Sequence, residues 1–215
     1  MWGKCSKCMK QITQDTIEII KAASGKYMFE VAKDRCLTLF DLALNENALE
    51  RCITVNLRGE GAEVKIYSIF FGSNEQSFSL AHIVRHLASR TVSKIETKGV
   101  LQDKAAARYS ALIDITKGST GCRGEQSEHT LLLSDKARIT AVPALEIANN
   151  DVKASHSVAI TYIDDIKKFY LESRGLTEKE AVKAIVHGHF AEVLNQIGDS
   201  ELRSGIEKRI AQKLC

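Results

Sequence analysis

The stretch TLLLSDKARITAVPALEIANNDVKASHSVAITYIDDIKKFYLESRGLTEKEAVKAIVHGHFAEVL, residues 130–194, decides how this chain is read. Two short apolar strands lead to a tight turn at Asn149 and Asn150. Val152, Ala154, His156, Val158 and Ile160 then share one face of a strand, apolar except for a single imidazole. From Asp164 the period becomes that of a helix, and a helical hairpin is hinged at Ser173-Arg174-Gly175. Thr177-x-x-Glu180 is a capping box ahead of Ala181, Ile185, Phe190, Val193 and Leu194.

Working outward, the same period-2 alternation runs back to residue 26, in Ile53/Val55/Leu57, Val64/Ile66, Phe78/Leu80 and Tyr109/Ala111/Ile113/Ile115. Gly59-Glu60-Gly61, Gly72-Ser73-Asn74 and the run Gly118 to Gly124 punctuate it as turns. Three zones result: an N-terminal segment 1–25, a strand-rich core 26–162 and a helical domain 163–215. In the first, Thr13 is read as the N-cap of a short helix carrying Ile17, Ile19 and Ile20. In the last, Leu202, Ile206, Ile210 and Leu214 recur at four-residue steps, a narrow stripe suited to docking on a neighbour. No fixed-length repeat is legible, so periodicity alone leaves sandwich, barrel and solenoid open.

Composition removes several function classes. At 215 residues, 44% hydrophobic and 27% charged, the chain is ordinary globular protein with room for one sizeable core. A net charge of +3 without a Lys/Arg run gives nucleic acid no footprint. Apolar runs fall far short of the roughly 20 residues of a membrane span. The start, MWGKCSKCMK, lacks the apolar stretch of a signal peptide, so a cytoplasmic location is expected. Cysteines at 5, 8, 36, 52, 122 and 215 are then expected as reduced thiols, the usual ligands of soft metals.

GEGAEVKIYSIFFG (59–72), HIVRHLASRTVSKIETKGVLQDKAAARYSALIDI (82–115) and the 130–194 signature together resemble the SufB/SufD family, scaffold subunits of the SUF iron–sulfur cluster assembly system. The resemblance runs from about residue 26 to 195. It implies a mainly β protein: a right-handed parallel β-helix followed by an α-helical domain, in a short version lacking most of the N-terminal region of longer members. It also implies a transient iron–sulfur cluster and transfer to apo-protein recipients. ATP hydrolysis would belong to a separate SufC-like ABC-type partner, and the chain itself would be no enzyme. That ATPase is expected on the segment FYLESRGLTEKEAVKAIVHGHFAEVL, with Tyr170, Arg174, Gly175 and Phe190 as contact residues. An alternative role for these helices is to cap the exposed end of the solenoid.

His156, in KASHS, matches the segment where relatives place a histidine implicated in the cluster site near the subunit interface. Its residue-level alternative is a hydrogen-bonded histidine on an apolar face. Cys122 lies in Gly118-Ser119-Thr120-Gly121-Cys122-Arg123-Gly124, read as an open loop where a thiol beside Arg123 ionises readily. Glu128, with His129 beside it, adds an oxygen or nitrogen donor; the alternative for Cys122 is a chance surface cysteine. Two expected thiols are missing: Ala137 stands where many SufB-type members have cysteine, and Ala154 where SufD-like members often do. One subunit type doing both jobs as a homodimer through its late strands is consistent with this mixture.

Other motifs carry less. Cys5-x-x-Cys8 alone cannot complete a four-coordinate site. Cys36 and Cys52 sit in apolar contexts and are expected at or near the core. His82 and His86 fall on a strand, about 13 Å apart, too far to share an ion. His187 and His189 point to different sides of a helix. No P-loop and no nucleophile elbow occurs. Two rivals to the scaffold remain: a zinc-binding or purely structural solenoid module, and a glycan lyase or hydrolase. The enzyme would need clustered carboxylates, and only scattered ones such as Asp114, Glu125 and Glu128 are present.

Overall fold

The computed structural model describes residues 9–21, 24–44 and 48–214. Cys5, Cys8 and Cys215 lie outside them. The first strands are β1 (Lys10–Ile12), β2 (Thr16–Ile20), β3 (Gly25–Val31) and β4 (Cys36–Ala43). The middle strands are β5 (Ala48–Leu57), β6 (Glu63–Gly72), β7 (Ser77–His86) and β8 (Val92–Leu101). The last are β9 (Ala106–Ile115), β10 (Cys122–Leu132), β11 (Arg138–Ile147) and β12 (Val152–Tyr162). Odd strands form one six-stranded sheet in chain order and even strands form the other. Each strand pairs in parallel with the strand two places away in the chain. The chain therefore winds as a parallel β-solenoid, one strand of each sheet per rung.

Register explains why no repeat is legible in the sequence. Ala48 stands opposite Ser77 and Ser77 opposite Ala106, 29 residues per rung. Lys10, however, stands opposite Phe29, Gly25 opposite Arg51 and Ala106 opposite Arg138, so rungs range from 19 to 32 residues. Turns absorb the difference while the strands keep their alternation, and stacking needs only the latter.

Every second residue points inward, and between the sheets Ile53, Val55, Leu57, Val64, Ile66, Ile113 and Ile115 are fully buried. Each contributes about 1.5–3 kcal/mol by leaving water. Gly99 is required by close packing: a Cβ there would lie 2.0 Å from Phe70 Cζ, so Phe70 fills the space a side chain would take.

Residues 16–20 form a strand, not the helix expected from Thr13. Thr16-Ile17-Glu18-Ile19-Ile20 is dense in β-branched residues, and it pairs with β4 from Thr16↔Leu37 to Ile20↔Asp41. The solenoid thus begins within the N-terminal segment 1–25, ahead of the boundary at residue 26 that alternation gives.

Three helices follow: α1 (Asp165–Ser173), α2 (Glu178–Leu194) and α3 (Ser200–Lys213). The capping box at Thr177 and Glu180 starts α2. Val186, Phe190, Val193, Ile206 and Ile210 join Phe40, Tyr67, Phe71, Val100 and Leu131 in a second core cluster, on the outer face of the even sheet. The helices α2 and α3 therefore cover a sheet face and do not cap the end of the solenoid. Among the described residues no helix is long and apolar enough to cross a membrane.

Candidate functional site

The last rung, β11 and β12, differs from the others. Among the described residues each strand is paired on one edge only, β11 to β9 and β12 to β10, and no strand follows. On β12 the inward column of residues continues, but no described residue stacks above it, so His156 is exposed and Ile160 is 44% exposed. His156 sits at the centre of an open edge, opposite Gln126 of β10. Neighbouring strands lie about 4.8 Å apart, so the imidazole and the Gln126 amide share one inward column.

The residues beneath are unusual for a solenoid interior. In the even sheet, Leu39, Ile66, Ile95, Gln126 and His156 stack in register, turning from apolar to polar toward the open end. The next column is Asp41, Ser68, Thr97, Glu128 and Val158. Asp41 is fully buried, accepts a charged hydrogen bond from Arg51 and lies 3.0 Å from His82 Nε2. His82 Nδ1 is 3.1 Å from the Tyr109 hydroxyl, which accepts from Thr97 Oγ1 at 3.0 Å. Burial opposes ionisation of Asp41, yet the His82 hydrogen bond and the Arg51 charge hold its pKa below the usual carboxylate value.

Glu128 ends this interior column beside the terminal rung. Only 2% exposed, it has its pKa pushed up to about 7 by burial, against a hydrogen bond from Thr130. Among the described residues its Oε2 has no hydrogen-bond partner, and neither has Oε1 of Gln126, whose amide nitrogen donates to Ala144 O at 3.2 Å. Two buried acceptors are thus left open one rung below the edge.

Cys122 corrects the sequence reading. It is not in an open loop but is the first residue of β10, 1% exposed and inside the core cluster. Its Sγ lies 3.2 Å from Thr91 Oγ1 and 3.4 Å from Ala88 O. The glycines around it make the turn, and the thiol points inward as the strand's first inward residue. Cys122 stands opposite Val152, four residues before His156, so thiol and imidazole are separated by about 13 Å along the strand. Cys36 and Cys52 are half-exposed on outward faces instead of near the core. His82 and His86 do lie on a strand, and both are buried: His86 bonds Thr91 at 2.7 Å and Ser93 at 2.9 Å. Among the described residues, no three His, Cys, Asp or Glu side chains form a group able to hold a metal ion.

The expected partner surface divides. Tyr170 is 56% exposed on α1, which buries no residue at all, and Ile166 and Phe169 are 80% and 70% exposed beside it. The Arg174 guanidinium lies over the Tyr170 ring at 5.2 Å, and Gly175, with φ +97°, turns the chain into α2. Phe190 is not a surface residue: it is fully buried, 6.5 Å from the Phe71 ring, and fastens α2 to the sheet.

The sequence reading missed Gln126 as a neighbour of His156, and the Asp41–Arg51–His82–Tyr109 network. A signal existed, since Asp41 interrupts LTLFDLAL and Arg51 shares an alternating face with Leu49, Ile53 and Val55. Only the register reveals that they meet.

A two-sheet parallel solenoid with an open, polar-lined last rung and three helices following it defines the fold class. Residues 20–189 match the family model for the SUF system FeS cluster assembly, SufBD core domain, and the chain belongs to that family. It is 30% identical over 161 residues to iron-sulfur cluster assembly protein SufD of Bacillus subtilis, covering 73% of this chain and 37% of that one. The Escherichia coli protein of the same name is 27% identical over 184 residues, 86% of this chain and 44% of the relative. A SufBD family protein of Synechocystis is 27% identical over 163 residues, 76% and 33% respectively. The chain thus spans less than half the length of these relatives.

Proposed function

We propose that this chain is a non-catalytic, cytoplasmic scaffold on which iron and sulfide are assembled into a cluster before transfer to apo-proteins. The observation that carries the reading is His156 exposed at the centre of a terminal strand whose outer edge is unpaired among the described residues. Two copies pairing through β11 and β12 would satisfy the free backbone edges and bring two imidazoles together. Each protomer contributes His156 and, one rung deeper, Glu128; Cys122, held in the core, does not reach them. Sulfide and the second subunit supply the remaining donors, and so few strong ligands per protomer keep the cluster transferable. The exposed face of α1, with Ile166, Phe169, Tyr170 and Arg174, receives the ABC-type ATPase.

Anaerobic reconstitution with iron and sulfide tests this reading. Broad visible absorption that is lost in His156→Ala, with a dimer mass in solution, is the expected result. A colourless protein, or a monomer at all concentrations, would overturn it. Zinc uptake in its place would favour the zinc-binding or purely structural module.

A further inference from the structure

The terminal strand is held unevenly. At its start, Gly121 N donates to Asp151 O at 2.7 Å, and Val152 and Ala154 pack against the interior cluster. At its end, Ile163 N donates to Leu132 O at 3.0 Å, and Ile163 packs against the helical cluster. Between these anchors, residues 155–158 are all exposed, Ile160 is 44% exposed and Tyr162 is 60% exposed. The middle of β12 is therefore fixed by its ladder to β10 and by little side-chain burial, the signature of a segment that opens locally at low cost. Its counterpart on the other sheet is tied more firmly, since Gln126 reaches across to Ala144 O and Leu145 packs on the core.

Beneath the weakly held stretch lie the two open acceptors, Glu128 Oε2 and Gln126 Oε1, each on a residue at most 5% exposed. Sealing them from water is unfavourable, and lifting the strand relieves it. Val158 stacks directly on Glu128 and His156 on Gln126. The helix α1 starts only three residues beyond β12 and buries none of its own side chains.

We propose that residues 155–161 are a strap that opens and closes over Gln126 and Glu128, making the Glu128 carboxylate available to incoming metal only while the strap is lifted. The inference rests on the scaffold reading for what the carboxylate serves, whereas its test contains no iron. Ser127 and Ser157 are register partners on the outward face, in strands about 4.8 Å apart, within disulfide range. In Ser127→Cys/Ser157→Cys, oxidation pins the strap and reduction frees it.

The readout is carbodiimide labelling of carboxylates, mapped by peptide mass and followed over a range of protein concentrations. Asp41, fully buried far from the open end, reports global opening. In the unmodified protein Glu128 is expected to label at least about tenfold faster than Asp41. In the oxidised double variant that advantage disappears, and reductant restores it. Slowing of Glu128 alone with rising concentration adds support, because a second subunit then seals the strap. Glu128 labelling no faster than Asp41 at every concentration, or equally fast in pinned and free forms, overturns the proposal. A failed iron and sulfide reconstitution with intact strap behaviour would remove the scaffold reading alone.

Discussion

Cys122 and Val152 are neighbours in register on β10 and β12, and so are Gln126 and His156; all four point to the same side of one sheet. Yet Cys122 is sealed and His156 is exposed. The contrast between interior rungs and the terminal rung teaches that alternation assigns a face, while depth depends on whether another rung follows. An inward position in β5 to β10 is covered by strands on both sides. The same position in β12 meets whatever comes next, which is solvent or a second molecule.

The sharpest way to break this contrast is to remove a charge from an interior column. Asp41→Ala removes the carboxylate that Arg51 and His82 share in the interior and is expected to cost about 3–5 kcal/mol, read by chemical denaturation. Should it cost no more than His156→Ala, the interior network is not what holds these rungs. Next comes one residue type at two depths. Ile53→Ala is expected to lose about 2–5 kcal/mol and Ile160→Ala less than about 1 kcal/mol at dilute concentration, with its effect appearing as weakened self-association. Equal losses would mean that the last rung is as covered as the middle ones.

Glycines sharpen the comparison further. Gly99→Ala drives a methyl into Phe70 and Thr130 and is expected to cost about 1–3 kcal/mol. Gly188→Ala in α2 and Gly205→Ala in α3 meet nothing within 4 Å and are expected to stabilise by about 0.5–1 kcal/mol each. Thermal melts of the three variants separate close packing from helix propensity.

The smallest expected effect is pH dependence. Burial raises Glu128 to about 7, above its unfolded value of 4.5, so its contribution is fully present below pH 4.5 and is lost as pH rises through 7. His86 and His189 run the other way: burial lowers both to about 4, so stability is lost as pH falls from 6.5 toward 4. Glu128→Gln should remove the loss that sets in between pH 4.5 and 7 and leave the histidine loss toward pH 4 intact, as followed by denaturant midpoints across pH. An unchanged loss between pH 4.5 and 7 would show that water already reaches the carboxyl.

Much of the fold was legible, for physical reasons that differ by element. The strands from residue 26 onward follow from alternation, and the α2 start follows from a capping box whose side-chain bonds are local. The N-terminal strand β2 was read as a helix because its isoleucines at 17, 19 and 20 fit either period, and pairing with β4 decided the matter. The candidate site was legible only in part. His156 could be placed on a face, and its motif led to the family, but Cys122 was given the character of its glycine-rich surroundings. The first inward position of a strand overrides the loop before it. Phe190 was assigned to a partner surface because a helix has two sides, and only the sheet beneath α2 shows which side Phe190 occupies.

By itself the amino-acid sequence determined the elements from residue 26 onward, their alternating faces, the α2 cap and the family, because these depend on neighbours a few residues apart or on motifs kept in order. The tertiary structure alone decided which rung is last, which columns align through the interior, and that Glu128 and Gln126 are buried one rung below His156. Those facts arise from rungs of unequal length brought into register, a relation between residues some thirty positions apart that no local pattern encodes.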